Sequence, residues 1–271
     1  MSVQNAPMLL RLFLFCTLTL SGFAQHRDPI RLTHGPMLGK PTAHSVSVWG
    51  RTSDPGDFVV KYGTTADALT QTSPVTTTSI AHDNTGVAEL IGLKADTRYH
   101  YQIFVLGNPH GLPGSFLTLP SVKGSINAEH NPKGLFNFRF EVGSCSNQNP
   151  LHGIGHREPT YENLNKSWAD KIHFHIMNGD WLYEELRTYP PEAWRLLQGV
   201  EQFPRSVEVM PSIVGVWENY KLYLSRGVSR AQWHRNVPSY FTFDDHELVN
   251  DIWGSAEVGK RHRRTVFRDI G

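Results

Sequence analysis

Ile172-His173-Phe174-His175-Ile176-Met177-Asn178-Gly179-Asp180-Trp181-Leu182-Tyr183 passes within a few residues from a β-prone apolar run to a glycine, a carboxylate and a phenol. Two other stretches have the same form. Phe136, Phe138, Phe140 and Val142 alternate with other residues and lead into Gly143-Ser144-Cys145, and Tyr240-Phe241-Thr242-Phe243 feeds Asp244-Asp245-His246-Glu247. Each predicts a strand that delivers polar side chains to its carboxyl end. Thr160-Tyr161-Glu162-Asn163-Leu164 opens a predicted helix running to about Ala169. A second helix is predicted over residues 212–225, where Ile213, Val216, Trp217, Tyr220 and Leu224 recur at near-helical spacing and form a core-facing stripe. Strand, helix and strand in this order predict an α/β domain whose site gathers at the carboxyl edge of the sheet.

Upstream the period changes. Ser45-Val46-Ser47-Val48-Trp49, Phe58-Val59-Val60-Lys61-Tyr62 and Tyr99-His100-Tyr101-Gln102-Ile103-Phe104-Val105 are short alternating segments. Asp54-Pro55-Gly56, Asn84-Thr85-Gly86 and Gly111-Leu112-Pro113-Gly114 punctuate them, as in an antiparallel β-sandwich of about 100 residues. Leu93-Lys94-Ala95-Asp96-Thr97-Arg98-Tyr99-His100-Tyr101 resembles the corner of fibronectin type III domains, which implies a tyrosine hydroxyl tied to the upstream backbone. A polar stretch ending in Asn131-Pro132-Lys133-Gly134 reads as a linker. The expected organisation is a sandwich over residues 28–122 followed by an α/β domain over residues 135–271.

The 271 residues allow two cores, and the net charge of +1 sets up no field that would recruit nucleic acid or an anionic membrane. Neither partner is expected. Arg11, the apolar run from Leu12 to Leu20 and Gly22-Phe23-Ala24 before Gln25 have the form of a secretory signal over residues 1–24. That run is too short for a membrane span of roughly 20 residues, so a periplasmic or secreted protein is expected. Cys16 would leave with the signal, and Cys145 would be a solitary thiol outside the cytoplasm. It is either a buried small apolar residue or a thiolate bound to metal.

The chemistry of the three motifs favours metal. Gly179 allows a sharp turn at the strand end, Asp180 offers hard oxygens that can bridge two cations, and Tyr183 can return on the same turn with a phenolate. A carboxylate beside His246 suits a ligand next to a proton donor. In this order the motifs resemble the PhoD-like alkaline phosphatases, a group of the calcineurin-like metallophosphoesterases that carry a small β-sandwich before the catalytic domain. The resemblance implies a fibronectin III-like sandwich followed by the first part of a metallophosphoesterase α/β domain. It implies that Cys145 and Tyr183 bind a ferric ion and that Asp180 bridges the cations. Asp245 would bind a second metal, calcium in this family, and His246 would protonate the leaving alkoxide or steady the phosphoryl oxygens. Asp244 and Asn250 would have supporting roles near the second cation. The expected reaction is hydrolysis of a phosphate mono- or diester by metal-activated water.

Rival chemistries fit less well. A cysteine-nucleophile phosphatase needs an arginine six residues after the thiol, where this chain has Leu151, and a Gly-x-Ser-x-Gly elbow is absent. His173 and His175 read as packed strand residues and Lys260-Arg261-His262-Arg263-Arg264 as a solvated helix face. Arg226 and Arg230 are candidates for steering the substrate anion. Two features depart from the family pattern. Phe243 stands where tryptophan is common, and a later Gly-Asp-x-His motif is missing, so the chain is expected to be an amino-terminal portion of the enzyme. The alternative is an extracellular adhesion module with a non-catalytic α/β remnant.

Overall fold

Alternation of side chains across the pleat builds the first layer pair. The computed structural model describes residues 28–121, 123–148, 155–183 and 213–247. β1 (Leu32–Gly39), β2 (Ser45–Thr52) and β6 (Thr85–Ile91) form one antiparallel sheet. β3 (Asp57–Gly63), β4 (Gln71–Thr72), β5 (Thr76–Thr77), β7 (Arg98–Val105) and β8 (Asn108–Leu117) form the other. Every second residue points between them: Val46 and Val48, Phe58 and Val60, Ala88 and Leu90, Tyr101 and Ile103 are all buried. At the corner Lys94 N donates to the Tyr99 hydroxyl at 2.9 Å, and the Tyr99 ring stacks on Phe116 with centroids 5.8 Å apart.

The second unit is α/β. β9 (Phe140–Gly143), β10 (Phe174–Asn178) and β11 (Ser239–Thr242) run parallel in the order β9-β10-β11, with Met177 opposite both Gly143 and Phe241. α2 (Ile213–Arg226) buries Tyr223 and Leu224 in a core with Met177, while α1 (Pro159–Ser167) and α3 (Val228–Asn236) bury Tyr161 and Trp233 in a second core with Ile172 and Val237. β11 also pairs with β1 in parallel at Ser239 and Gly39, so a six-stranded sheet β6-β2-β1-β11-β10-β9 runs through both units.

Side chains reinforce this junction. The Tyr101 hydroxyl donates to Arg235 O at 2.8 Å, and a Cβ on Gly114 would lie 2.8 Å from the same carbonyl and 2.6 Å from the Tyr101 ring. Asp83 pairs with both Arg51 at 3.0 Å and Lys221 of α2 at 3.1 Å. Among the described residues no helix is long and apolar enough to cross a membrane.

One expectation fails in detail. The alternation from Phe136 through Val142 predicts one strand, but β9 begins only at Phe140, because its partner strand begins at Phe174 in register with it. The phenyl rings are half exposed and form a ladder instead: Phe138, Phe140 and Phe174 lie 5.4–5.7 Å apart, and Tyr240 meets Phe174 edge-on at 5.6 Å. Parallel sheets are normally covered on both faces, and among the described residues nothing covers this one. The signal segment, Asn250 and the basic run 260–264 lie outside the described residues.

His34 gives the junction a pH signature. Its Nε2 meets Ser225 Oγ of α2 at 3.0 Å, and burial, then Arg51 and Lys221, push its pKa down to about 4. The unfolded side chain takes its proton near 6.5, so the unfolded state binds more protons between these values. His34's contribution is complete above about pH 6.5 and is lost as pH falls toward 4. Thermal melts followed by circular dichroism should show a smaller loss of Tm over this window in His34→Gln than in the parent; equal slopes would exclude His34 as the cause.

Candidate metal centre

Parallel neighbours end on the same side, so β9, β10 and β11 deliver their following loops to one edge. The first loop crosses onto the second through Cys145 N donating to Gly179 O at 3.3 Å and Ser146 N donating to Asp180 O at 2.8 Å. The second touches the third at Gly179, whose φ is +80°. A Cβ there would sit 2.4 Å from that of Asp244, so only glycine permits both the conformation and the contact. Cys145 and Asp180 are themselves left-handed, with φ of 58° and 55°. Such backbone costs on the order of 1–3 kcal/mol and persists only where its surroundings enforce it.

Glu247 supplies much of that enforcement. Its buried carboxylate accepts from Asp180 N at 3.0 Å, Trp181 N at 2.5 Å and Asp244 N at 2.9 Å, binding the second loop to the third. Trp181 is held from its other end, with Nε1 donating to His234 Nε2 at 2.8 Å. An indole nitrogen only donates, so the proton of His234 is on Nδ1 and is given to Ser239 Oγ at 2.8 Å. Burial, then His175 and Arg230, hold this imidazole neutral by pushing its pKa well down.

Above this frame the polar groups converge. Cys145 Sγ donates to Asp180 Oδ2 at 3.3 Å, and the Tyr183 hydroxyl donates to the same oxygen at 3.1 Å. Asp180 Oδ1 is buried and has no hydrogen-bond partner among the described residues. Ligand atoms of Asp180, Asp245 and His246 lie within 4.8 Å of one another, and the His246 ring overlies that of Tyr183 with centroids 4.0 Å apart. Burial, then Cys145 and Asp180, push the Tyr183 phenol up. A thiol, a phenol and a carboxylate thus meet with only weakly acidic protons between them, and a second carboxylate and an imidazole stand beside them. This donor set fits cations, which would take the place of those protons and satisfy Oδ1.

Other candidates lie elsewhere or do something different. Asp244 is exposed, and its Oδ1 accepts from Asp245 N at 2.9 Å. His175 is buried against Glu141, and His173 Nδ1 accepts from Arg139 N at 3.0 Å, so both are packing residues. Arg226 meets His156 at 3.1 Å. Arg230 cannot steer an incoming anion, because it is fully buried against Glu158. An apolar cavity of about 660 Å³ between β1, β2 and α2 reaches Trp181 and Glu247 but is lined by none of Cys145, Asp180, Tyr183, Asp245 and His246. The sequence reading missed Glu247, although the residue belongs to the third motif. Its signal was an acid closing the turn that begins at Asp244.

Residues 18–120 match the family model described as PhoD-like phosphatase, N-terminal domain, and residues 140–269 match that of PhoD-like phosphatase. A solved structure of PhoD is similar over 91% of this chain and 47% of its own, at 16% identity and a TM-score of 0.63, a likeness of fold. The chain therefore spans about half the length of that structure. The sensor domain of the anti-sigma factor RsgI4 in Pseudobacteroides cellulosolvens is matched over 35% of this chain and 98% of its own, at 16% identity and a TM-score of 0.29. The FN3 domain of human collagen XX is matched over 31% and 88%, at 17% identity and 0.24. Comparison with curated proteins finds no match.

The role of Glu247 is measurable by urea denaturation. Glu247→Ala leaves three backbone N–H groups without their acceptor and should cost about 3 kcal/mol. Glu247→Gln, which turns a donor toward one of those N–H groups, should also destabilise. Wild-type stability in both would show that the two loops are held by something else.

Proposed function

Since the chain belongs to the PhoD-like phosphatase family, we propose that it supplies the first cation-binding loops of a metal-dependent phosphatase acting on phosphate mono- or diesters. One observation carries the reading. A single oxygen of Asp180 accepts from both Cys145 and Tyr183 while its other oxygen is buried with no hydrogen-bond partner among the described residues. In this account Cys145 and Tyr183 would hold a ferric ion as thiolate and phenolate, Asp180 would serve both cations, and Asp245 would hold calcium. Thiolate and phenolate suit the softer, more highly charged ion, whereas carboxylate oxygens suit calcium.

When bound, the cations acidify a water and take up charge from the phosphoryl oxygens. The residues of this chain do the rest. Asp180, with its backbone held between the other two loops, would hold the cations together. His246, seated over the Tyr183 ring, is the proton donor to the leaving alkoxide or a hydrogen-bond donor to a phosphoryl oxygen. Glu247 and Gly179 keep the loops from drifting apart, which matters because misplacement by about 1 Å can cost 100-fold in rate. The signal-like residues 1–24 support export to the periplasm or medium, where a solitary thiol gains protection from a metal. The proposed division of labour is a sandwich over 28–122 and a phosphatase unit over 135–271.

Cys145 is exposed, so metal occupancy can be read as chemical protection. Iodoacetamide should label it in chelator-treated protein, and ferric nitrilotriacetate with calcium should suppress labelling in the parent but not in Asp180→Asn. In metal-loaded enzyme, Cys145→Ala and Asp180→Asn should lower kcat/KM for an aryl phosphate by about 100-fold, as when a transition-state stabiliser is removed. Labelling indifferent to metal, with hydrolysis unaffected by either substitution, would overturn the reading.

A further inference from the structure

Beneath the ligands lies a buried ion pair that the proposed reaction does not use. Arg230 of α3 is completely buried, and its guanidinium is in contact with the carboxylate of Glu158. The same planar group donates to Trp181 O through Nη1 and to Ser146 O, at 2.5 Å, through Nη2. Ser146 follows Cys145 and Trp181 follows Asp180, so one rigid fork grips the residues directly after two of the candidate ligands. The rings of Trp181, Tyr223 and Tyr161 surround it with centroids 4.7, 5.0 and 5.4 Å from the guanidinium carbon. Tyr223 joins the same two loops, its hydroxyl accepting from Gln148 N at 3.4 Å and from Tyr183 N at 3.1 Å.

The surroundings are built tightly around this pair. Glu158 also accepts from Gln148 Nε2 at 3.2 Å, and a Cβ on Gly227 would meet Gln148 at 2.4 Å and Glu158 at 2.5 Å. Desolvating two charges costs several kcal/mol per ion, and apolar residues of similar volume often serve stability as well or better. Stability alone therefore does not account for a charge here. What apolar residues cannot supply is a planar donor that fixes two carbonyls of different loops at a set separation. Both ligands above it have left-handed backbone, with φ of 58° and 55°, which needs such an outside constraint.

We propose that Arg230 is a positioning residue that sets the separation of Cys145 and Asp180, and so the affinity of the site for its first cation. This inference rests on the metal-site reading above. The test uses the full chain, ferric nitrilotriacetate as probe, and thiolate- and phenolate-to-iron charge-transfer absorption as readout. The double variant Arg230→Met/Glu158→Met removes both charges and leaves no unpaired ion, so the circular dichroism spectrum should stay near that of the parent, with a lowered Tm from the two carbonyls that lose their donor. Its ferric affinity should nevertheless fall about 10- to 100-fold, the usual effect of losing a group that orients a metal ligand, and its absorption band should shift. A double variant that folds and binds iron with the parent's affinity and spectrum would overturn the inference. Should that variant fail to fold, Arg230→Lys keeps the charge but not the fork, and parent-like iron binding in it would overturn the inference equally. A parent chain that takes up no iron removes the metal-site reading itself and this inference with it; iron binding in the parent that is indifferent to both variants removes this inference alone.

Discussion

Asp180 stands where three loops from three parallel strands meet, and its carboxylate depends on contacts made by its neighbours. Its backbone N–H is held by Glu247, its carbonyl accepts from Ser146, and the glycine before it lies against Asp244 at a distance no side chain would tolerate. With the backbone fixed in this way, one oxygen receives Cys145 and Tyr183 and the other is left buried with no hydrogen-bond partner among the described residues. A buried carboxylate oxygen without a partner costs roughly 1–3 kcal/mol or more. Folding tolerates that cost where a ligand can repay it, and the cluster has the composition of a cation site.

The constraint reaches further than the site. Trp181, next in the chain, stacks on Tyr220 and donates to His234, which in turn orients on Ser239 at the start of β11. Ser239 is also the residue that pairs with Gly39 of the sandwich. The amino-terminal sandwich is thus part of the sheet that presents the loops, and the Asp83 network with Arg51 and Lys221 braces the same junction.

Much of this was legible in the residues. Period-two alternation marked the sandwich strands, and the predicted helices at 160–169 and 212–225 correspond to Pro159–Ser167 and Ile213–Arg226. Gly-Asp after an apolar run marked the strand end, because glycine there has a backbone reason independent of partners. The remainder depended on tertiary context. Phe136 and Phe138 alternate as a strand would, but a strand needs a partner and β10 begins too late to provide one. Arg230 reads as a surface cation by type, and only three-dimensional packing reveals the carboxylate and the two carbonyls that hold it inside. Glu247 reads as one more acid in an acidic turn, whereas its oxygens are used up on backbone N–H groups of two loops.

Sulfur in the coordination shell of iron is the most specific consequence of the proposed metal site. X-ray absorption at the iron edge, on protein loaded with ferric ion, should show one sulfur scatterer among oxygen and nitrogen neighbours, and that scatterer should vanish in Cys145→Ser. Iron bound with no sulfur neighbour in the parent protein would contradict the account.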